Sequence, residues 1–139
     1  NLKSPMTYEQ FEDLPVWQEA IRLAEGVDDL LSSMNNNQLS FSKRDQIERC
    51  SLSVSNNIAE GFERGSTRDL LRFIYIARGS AAETRSMLIL FERRPHLSDF
   101  KSQIVHLKEL SLSCSKQLRA WAAHLQNSDI KGQRHPNSK

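Results

Sequence analysis

Long hydrophobic runs are missing from this chain, and so are frequent chain-breakers. No apolar stretch approaches the roughly 20 residues that a membrane-crossing helix needs, and mean hydropathy is low at −0.56. Five glycines and four prolines in 139 residues are too few for a fold of short strands and tight turns, and they favour long helices. Only two cysteines, Cys50 and Cys114, are present. Both fall in helical patterns, so two buried free thiols are expected, although a disulfide between core helices stays open. The opening Asn1-Leu2-Lys3-Ser4-Pro5 carries no signal-peptide pattern, and a cytoplasmic location is expected.

Catalytic and metal-binding signatures are equally scarce. The four histidines, His96, His106, His124 and His135, form no Glu-x-x-His repeat of a helical metal site. Gly61-Phe62-Glu63-Arg64-Gly65 lacks the Lys-Ser/Thr of a phosphate loop, and no strand precedes it. The serine-rich stretch after Cys50 has no nucleophile elbow. Glu60 and Glu83 are better read as carboxylates between helices than as an acid/base pair. No enzyme activity, cofactor or metal is expected.

What remains is hydrophobic residues at 38%, charged residues at 26%, and strong helical periodicity. Asp13 and Pro15 suit the start of a first helix, with Trp17, Ala20, Ile21, Ala24, Val27, Leu31 and Met34 as its stripe. Asn35-Asn36-Asn37 ends it. Ser42 caps a second helix whose stripe is Ile47, Cys50, Val54, Ile58 and Phe62. Gly65 suits the left-handed residue after it, and Ser66 or Thr67 the next cap. A third helix runs to about Arg94, where Pro95 stops it. Ser98 and Asp99 open a fourth, with Phe100, Ile104, Leu107, Ser111, Cys114, Leu118, Trp121 and Leu125 spaced alternately four and three apart. The polar residues 127–139 read as a disordered tail, and 1–12 as an N-terminal arm. The expected fold is an all-α, up-down-up-down four-helix bundle over 13–126.

The third helix carries two apolar faces. Leu70, Phe73, Ile74, Ala77, Ala81, Thr84, Leu88 and Phe91 form the core side. Opposite fall Arg72, Ile76, Gly79, Glu83, Met87 and Leu90, too apolar a set for a solvent face, and the expected site of packing against another copy. Arg72 and Glu83 lie about 16 Å apart along the axis, so each needs a partner elsewhere. Asn56, Asn57 and Glu60 on the second helix are the candidate interhelix polar groups.

Charge is unevenly divided. Residues 1–65 hold 6 basic and 11 acidic side chains, a net of −5, whereas 66–139 hold 13 and 6, a net of +7. The basic half offers Arg78, Arg85, Arg93, Arg94, Lys101, Lys108, Lys116 and Arg119 as candidate phosphate contacts. Weak, sequence-nonspecific binding of RNA or DNA is the first expectation, and a purely protein-directed scaffold with an unidentified partner the alternative.

Three motifs in order, Phe11-Glu12-Asp13-Leu14-x-Val16-Trp17, Ser55-Asn56-Asn57-Ile58-Ala59-Glu60-Gly61-Phe62 and Arg72-Phe73-Ile74-Tyr75-Ile76-Ala77-Arg78-Gly79-Ser80-x-x-Glu83, resemble the bacterial four-helix bundle family first noticed in intervening sequences of 23S ribosomal RNA genes. That family is related in fold to the accessory variability proteins of diversity-generating retroelements. The resemblance, over about residues 8–125, implies a bundle assembled into a ring, typically a homopentamer, with nucleic acid as a partner of the retroelement relatives. Arg94-Pro95-His96-Leu97 departs from the family's usual Gly-Tyr-Leu-like turn, and Thr84-Arg85-Ser86 replaces a frequent acidic or amide residue after Glu83.

Overall fold

The computed structural model describes residues 7–134, with side chains through Ser128. Its helices are α1 (Pro15–Ser33), α2 (Phe41–Glu63), α3 (Thr67–Glu92) and α4 (Lys101–Arg134), with 3₁₀ turns at Phe11–Asp13 and Pro95–Phe100. No strand occurs among the described residues. α3 packs against α2 and α4, and α1 closes the cycle by touching both of them. Paired positions rise along one helix as they fall along the next: Gln46 with Glu83 and Ser53 with Ser80, Glu92 with Lys108 and Tyr75 with Gln126. Neighbouring helices in these pairs are therefore antiparallel, the arrangement of an up-and-down four-helix bundle.

Local chemistry explains each boundary. α1 begins at Pro15, with Leu14 as N-cap and no side-chain capping bond. The expected cap, Asp13, instead closes the preceding 3₁₀ turn, whose chain Gln18 Nε2 ties down by donating to the Glu12 carbonyl at 3.0 Å. A proline at the first helical position has no N–H to satisfy, so a capping side chain gains less there. α2 starts slightly before the expected Ser42: Ser40 is the N-cap, its Oγ accepting from the Lys43 N–H at 3.4 Å. Gly65 takes φ +83° after α2, as expected, and Ser66 Oγ caps α3 by accepting from the Asp69 N–H at 3.1 Å. The chain then turns through Pro95–Phe100 before α4 opens at Lys101, slightly later than Ser98 and Asp99 suggested.

α4 continues through Arg134, so residues 127–134 are helical and not the disordered tail expected of them. Polar composition does not stop an established helix, because each added residue brings one hydrogen bond without a new nucleus, and no proline intervenes before Pro136. The remainder of that tail, 135–139, and residues 1–6 of the arm lie outside the described residues. Tyr8 and Phe11 from the arm pack on the core, with the Phe11 ring edge-on to Trp17 at 5.3 Å between centroids.

The core takes the α4 seam as read: Ile104, Leu107, Ser111, Cys114, Leu118, Trp121 and Leu125 are all buried. Phe100 is only partly buried. α1 is rotated from its expected phase. Ala20, Val27, Leu31 and Met34 are buried, but Val16, Leu23 and Leu30 take the places given to Trp17, Ile21 and Ala24. Two glycines set close helix approaches. A Cβ on Gly26 would overlap the Leu107 side chain, and one on Gly61 would stand 2.7 Å from the Phe73 Cβ. Cys50 and Cys114 are buried free thiols. Burial raises both, with Thr84 hydrogen bonding partly offsetting the effect at Cys50, and Cys114 is pushed up to about 12.

A guanidinium staples α1 to α2. Arg44 donates to the carbonyls of Leu31 (2.7 Å), Met34 (2.6 Å) and Leu39 (3.1 Å). Leu31 lies in the last turn of α1 and Met34 is its C-cap, where the helix runs short of its own N–H donors; the Leu31 carbonyl also accepts from the Met34 N–H at 3.2 Å. The charge also sits at the negative end of the α1 dipole.

Candidate nucleic-acid interface

On α3, Tyr75, Arg78, Ala82, Arg85, Ile89 and Glu92 recur three and four apart and so share one stripe. Contacts fix that stripe on the α4 side. Glu92 Oε1 accepts from Lys108 Nζ at 2.6 Å, and the Tyr75 hydroxyl accepts from Gln126 Nε2. On α4 the facing stripe contains Lys101, Lys108, Leu112, Ser115, Arg119 and Gln126. Moving seven residues back from Glu92 gives Arg85, and seven forward from Lys108 gives Ser115, so these two stand at one level of the antiparallel seam. Both have a buried polar atom without a hydrogen-bond partner: Arg85 Nε and Ser115 Oγ. Such atoms each forgo on the order of 1–3 kcal/mol relative to a satisfied group.

The seam is poor in compensating acid. Among the described residues, ion pairs form at Arg49–Asp45, Arg64–Glu60 and Lys108–Glu92. Arg78, Arg85 and Arg119 form no ion pair among the described residues. Lys108 does. Its hydrogen bond holds the Glu92 carboxyl below the usual carboxylate range, and the two side chains are 30% and 24% exposed. Of the eight candidate phosphate contacts, then, Arg78, Arg85 and Arg119 lie on the two facing stripes without an ion pair among the described residues. Lys101 stands exposed at the first turn of α4, Lys116 is exposed on its outer side, and Arg93 and Arg94 are exposed at the end of α3.

The second α3 face flanks α2. Arg72, Ile76, Gly79, Glu83 and Leu90 are exposed, Ile76 and Leu90 at 42% each, and a Cβ on Gly79 would meet nothing within 4 Å. Met87 is different: it is 9% exposed and belongs to the core cluster. It sits at the edge between faces, and an unbranched thioether chain can fold inward from there.

The interhelix polar residues also differ from expectation. Glu60 pairs locally, accepting from Nη2 of the α2 C-cap residue Arg64 at 2.8 Å, and not with Arg72. Asn57 Nδ2 donates to the Ser53 carbonyl (2.7 Å) and Ser53 Oγ (2.8 Å), also within α2, and Asn56 is exposed. A partner one turn away is reached at little entropic cost, whereas Arg72 would have to be held from another helix. Arg72 and Arg64 both lie against the Phe73 ring, at 5.9 and 4.9 Å from its centroid. The polar groups that do cross from α2 to α3 are smaller. Ser80 Oγ donates to Ser53 Oγ at 2.8 Å, Thr84 Oγ1 lies 3.2 Å from Cys50 Sγ, and Gln46 Nε2 donates to Glu83 Oε2 at 3.4 Å.

A four-helix bundle whose α3–α4 seam carries three arginines without an ion-pair partner among the described residues, beside one exposed apolar ridge on α3, is the class these features define. The model of the 23S rRNA-intervening sequence protein family matches residues 12–120. The chain belongs to that family. No curated protein and no solved structure matches it, and no helix among the described residues is long and apolar enough to cross a membrane.

Proposed function

We propose that this protein is a non-enzymatic, self-associating adaptor that holds RNA or DNA by its phosphates along the α3–α4 seam. The supporting observation is the trio Arg78, Arg85 and Arg119, aligned across two helices without an acidic partner among the described residues. Neutralising phosphates releases condensed counterions, a sequence-independent source of affinity. The family is named for sequences intervening in 23S rRNA, which makes RNA the first partner to test. A cytoplasmic location fits this reading.

Titration of labelled RNA and DNA across a salt series tests it. Affinity falls with salt with a slope of about two to three, as three phosphate contacts require, and Arg85→Gln with Arg119→Gln flattens the slope by about two. Absence of binding at low salt refutes the proposal. The exposed Ile76 and Leu90 favour a second reading, a scaffold that binds only proteins; it would be left standing by that negative result.

A further inference from the structure

Tyr75 is the unexplained residue of the seam. It is 42% exposed, although it lies on the α4-facing stripe of α3. Its hydroxyl is engaged by Gln126 of α4, so the ring is tethered across the seam instead of swinging freely in solvent. Arg78 follows one turn along α3, and Arg119 precedes Gln126 by two turns on α4. Between the Tyr75–Gln126 and Glu92–Lys108 contacts, the two facing stripes hold no carboxylate. A fixed, half-exposed aromatic beside unpaired guanidinium groups combines a stacking platform with an electrostatic track.

We infer that the seam selects single-stranded nucleic acid, with a base stacked on Tyr75 and neighbouring phosphates on Arg78, Arg119 and Arg85. This rests on the phosphate-binding reading above and adds the strand class. In a duplex, base faces are occupied by their neighbours and only phosphates remain for the arginines. In a single strand a base face is free, and stacking on it is tolerant of sequence because every base has one. The Gln126 tether fixes the ring in advance, so less freedom is lost when a base arrives.

The test is fluorescence anisotropy with a labelled single-stranded RNA oligonucleotide and a duplex of equal length at matched salt. The single strand should bind more tightly. Tyr75→Leu should weaken single-strand binding by on the order of tenfold, leave duplex affinity unchanged and leave the salt slope unchanged. Tyr75→Phe, which keeps the ring, should retain most of the single-strand preference, and it serves as the second variant should the leucine perturb folding. Arg85→Gln should flatten the salt slope for both ligands. Equal affinity for the two ligands, or a Tyr75→Leu protein that still prefers the single strand, overturns the strand-class inference while leaving phosphate binding in place. Failure of wild type to bind either ligand at low salt overturns both.

Discussion

Three glycines should respond to alanine with different signs, and the differences follow from their surroundings. At Gly61 an added Cβ stands 2.7 Å from the Phe73 Cβ, 3.3 Å from Leu70 Cδ1 and 3.4 Å from the Leu70 carbonyl oxygen. The Phe73 Cβ is fixed to its backbone and cannot rotate away, so α2 and α3 must separate. Overpacking of this kind costs about 1–3 kcal/mol, against about 0.5–1 kcal/mol recovered by replacing a mid-helix glycine. Gly61→Ala should therefore lose ~1–2 kcal/mol. At Gly79 nothing of the same chain lies within 4 Å, and in a single copy, dispersed by Ile76→Asp so that no ridge contact enters, Gly79→Ala should gain ~0.5–1 kcal/mol. Gly65 also has open space, but its φ of +83° makes alanine adopt a left-handed conformation, at a cost of roughly 1–2 kcal/mol. Urea denaturation followed by far-ultraviolet circular dichroism, at one protein concentration, measures all three. The expected order, each variant against its own parent, is Gly79→Ala above, with Gly61→Ala and Gly65→Ala below. A Gly61→Ala protein that gains as much as Gly79→Ala would refute the close approach of α2 to α3.

Arg44→Lys should destabilise the bundle by about 1–3 kcal/mol, because one ammonium cannot reach three divergent carbonyls as the guanidinium fork does; a change below about 0.5 kcal/mol in the same denaturation assay would remove the α1–α2 staple. Cys114 should resist alkylation at pH 8 in the folded protein and react once urea unfolds it. Its folded value of about 12 lies above the roughly 8.5 of an unfolded thiol, so its contribution is full below about pH 8.5 and declines as pH rises towards 12. Rapid native labelling of Cys114, or loss of that alkaline decline in wild type, would contradict its burial in the core.

Helix number, order and most of the core were legible because they depend on periodicity, which a single helix carries within itself. Leu118, Cys114 and Ser111 fall on one side of α4 in any bundle. Features that depend on register between helices were not legible in that way. Lys108 looks like a free cation in sequence, yet Glu92, sixteen residues away, reaches it only because α3 and α4 are antiparallel at that offset. Arg44 looks like an ordinary first-turn cation, and only the path of the 34–40 connection brings the α1 carbonyls to it. Glu60 reads in sequence as a carboxylate between helices, yet Arg64, one turn away, is a shorter reach. That i,i+4 spacing was the available signal. Tyr75 lies on neither of the two apolar faces of α3, and its place on the α4 seam follows from the Gln126 contact.

The geometry of α3 bears on how a weak site could be useful. At 100° per residue, Ile76 and Arg85 point to opposite sides of the helix. Copies that joined through the Ile76–Gly79–Leu90 ridge would keep Arg85 outside that contact, with Tyr75, one turn from Gly79, at its margin. Each seam offers few cations, so one copy alone should bind weakly, with a shallow salt slope of about two to three. Several seams on one assembly would instead engage a long strand together, and the second contact would be intramolecular. Length dependence separates this from a single strong site. Ile76→Asp should disperse the assembly, read by light scattering, and should weaken binding of a long strand severely while leaving a short oligonucleotide nearly unaffected. If wild type is already monomeric at micromolar concentration, or if the variant loses both ligands equally, the ridge and the seam do not cooperate in this way.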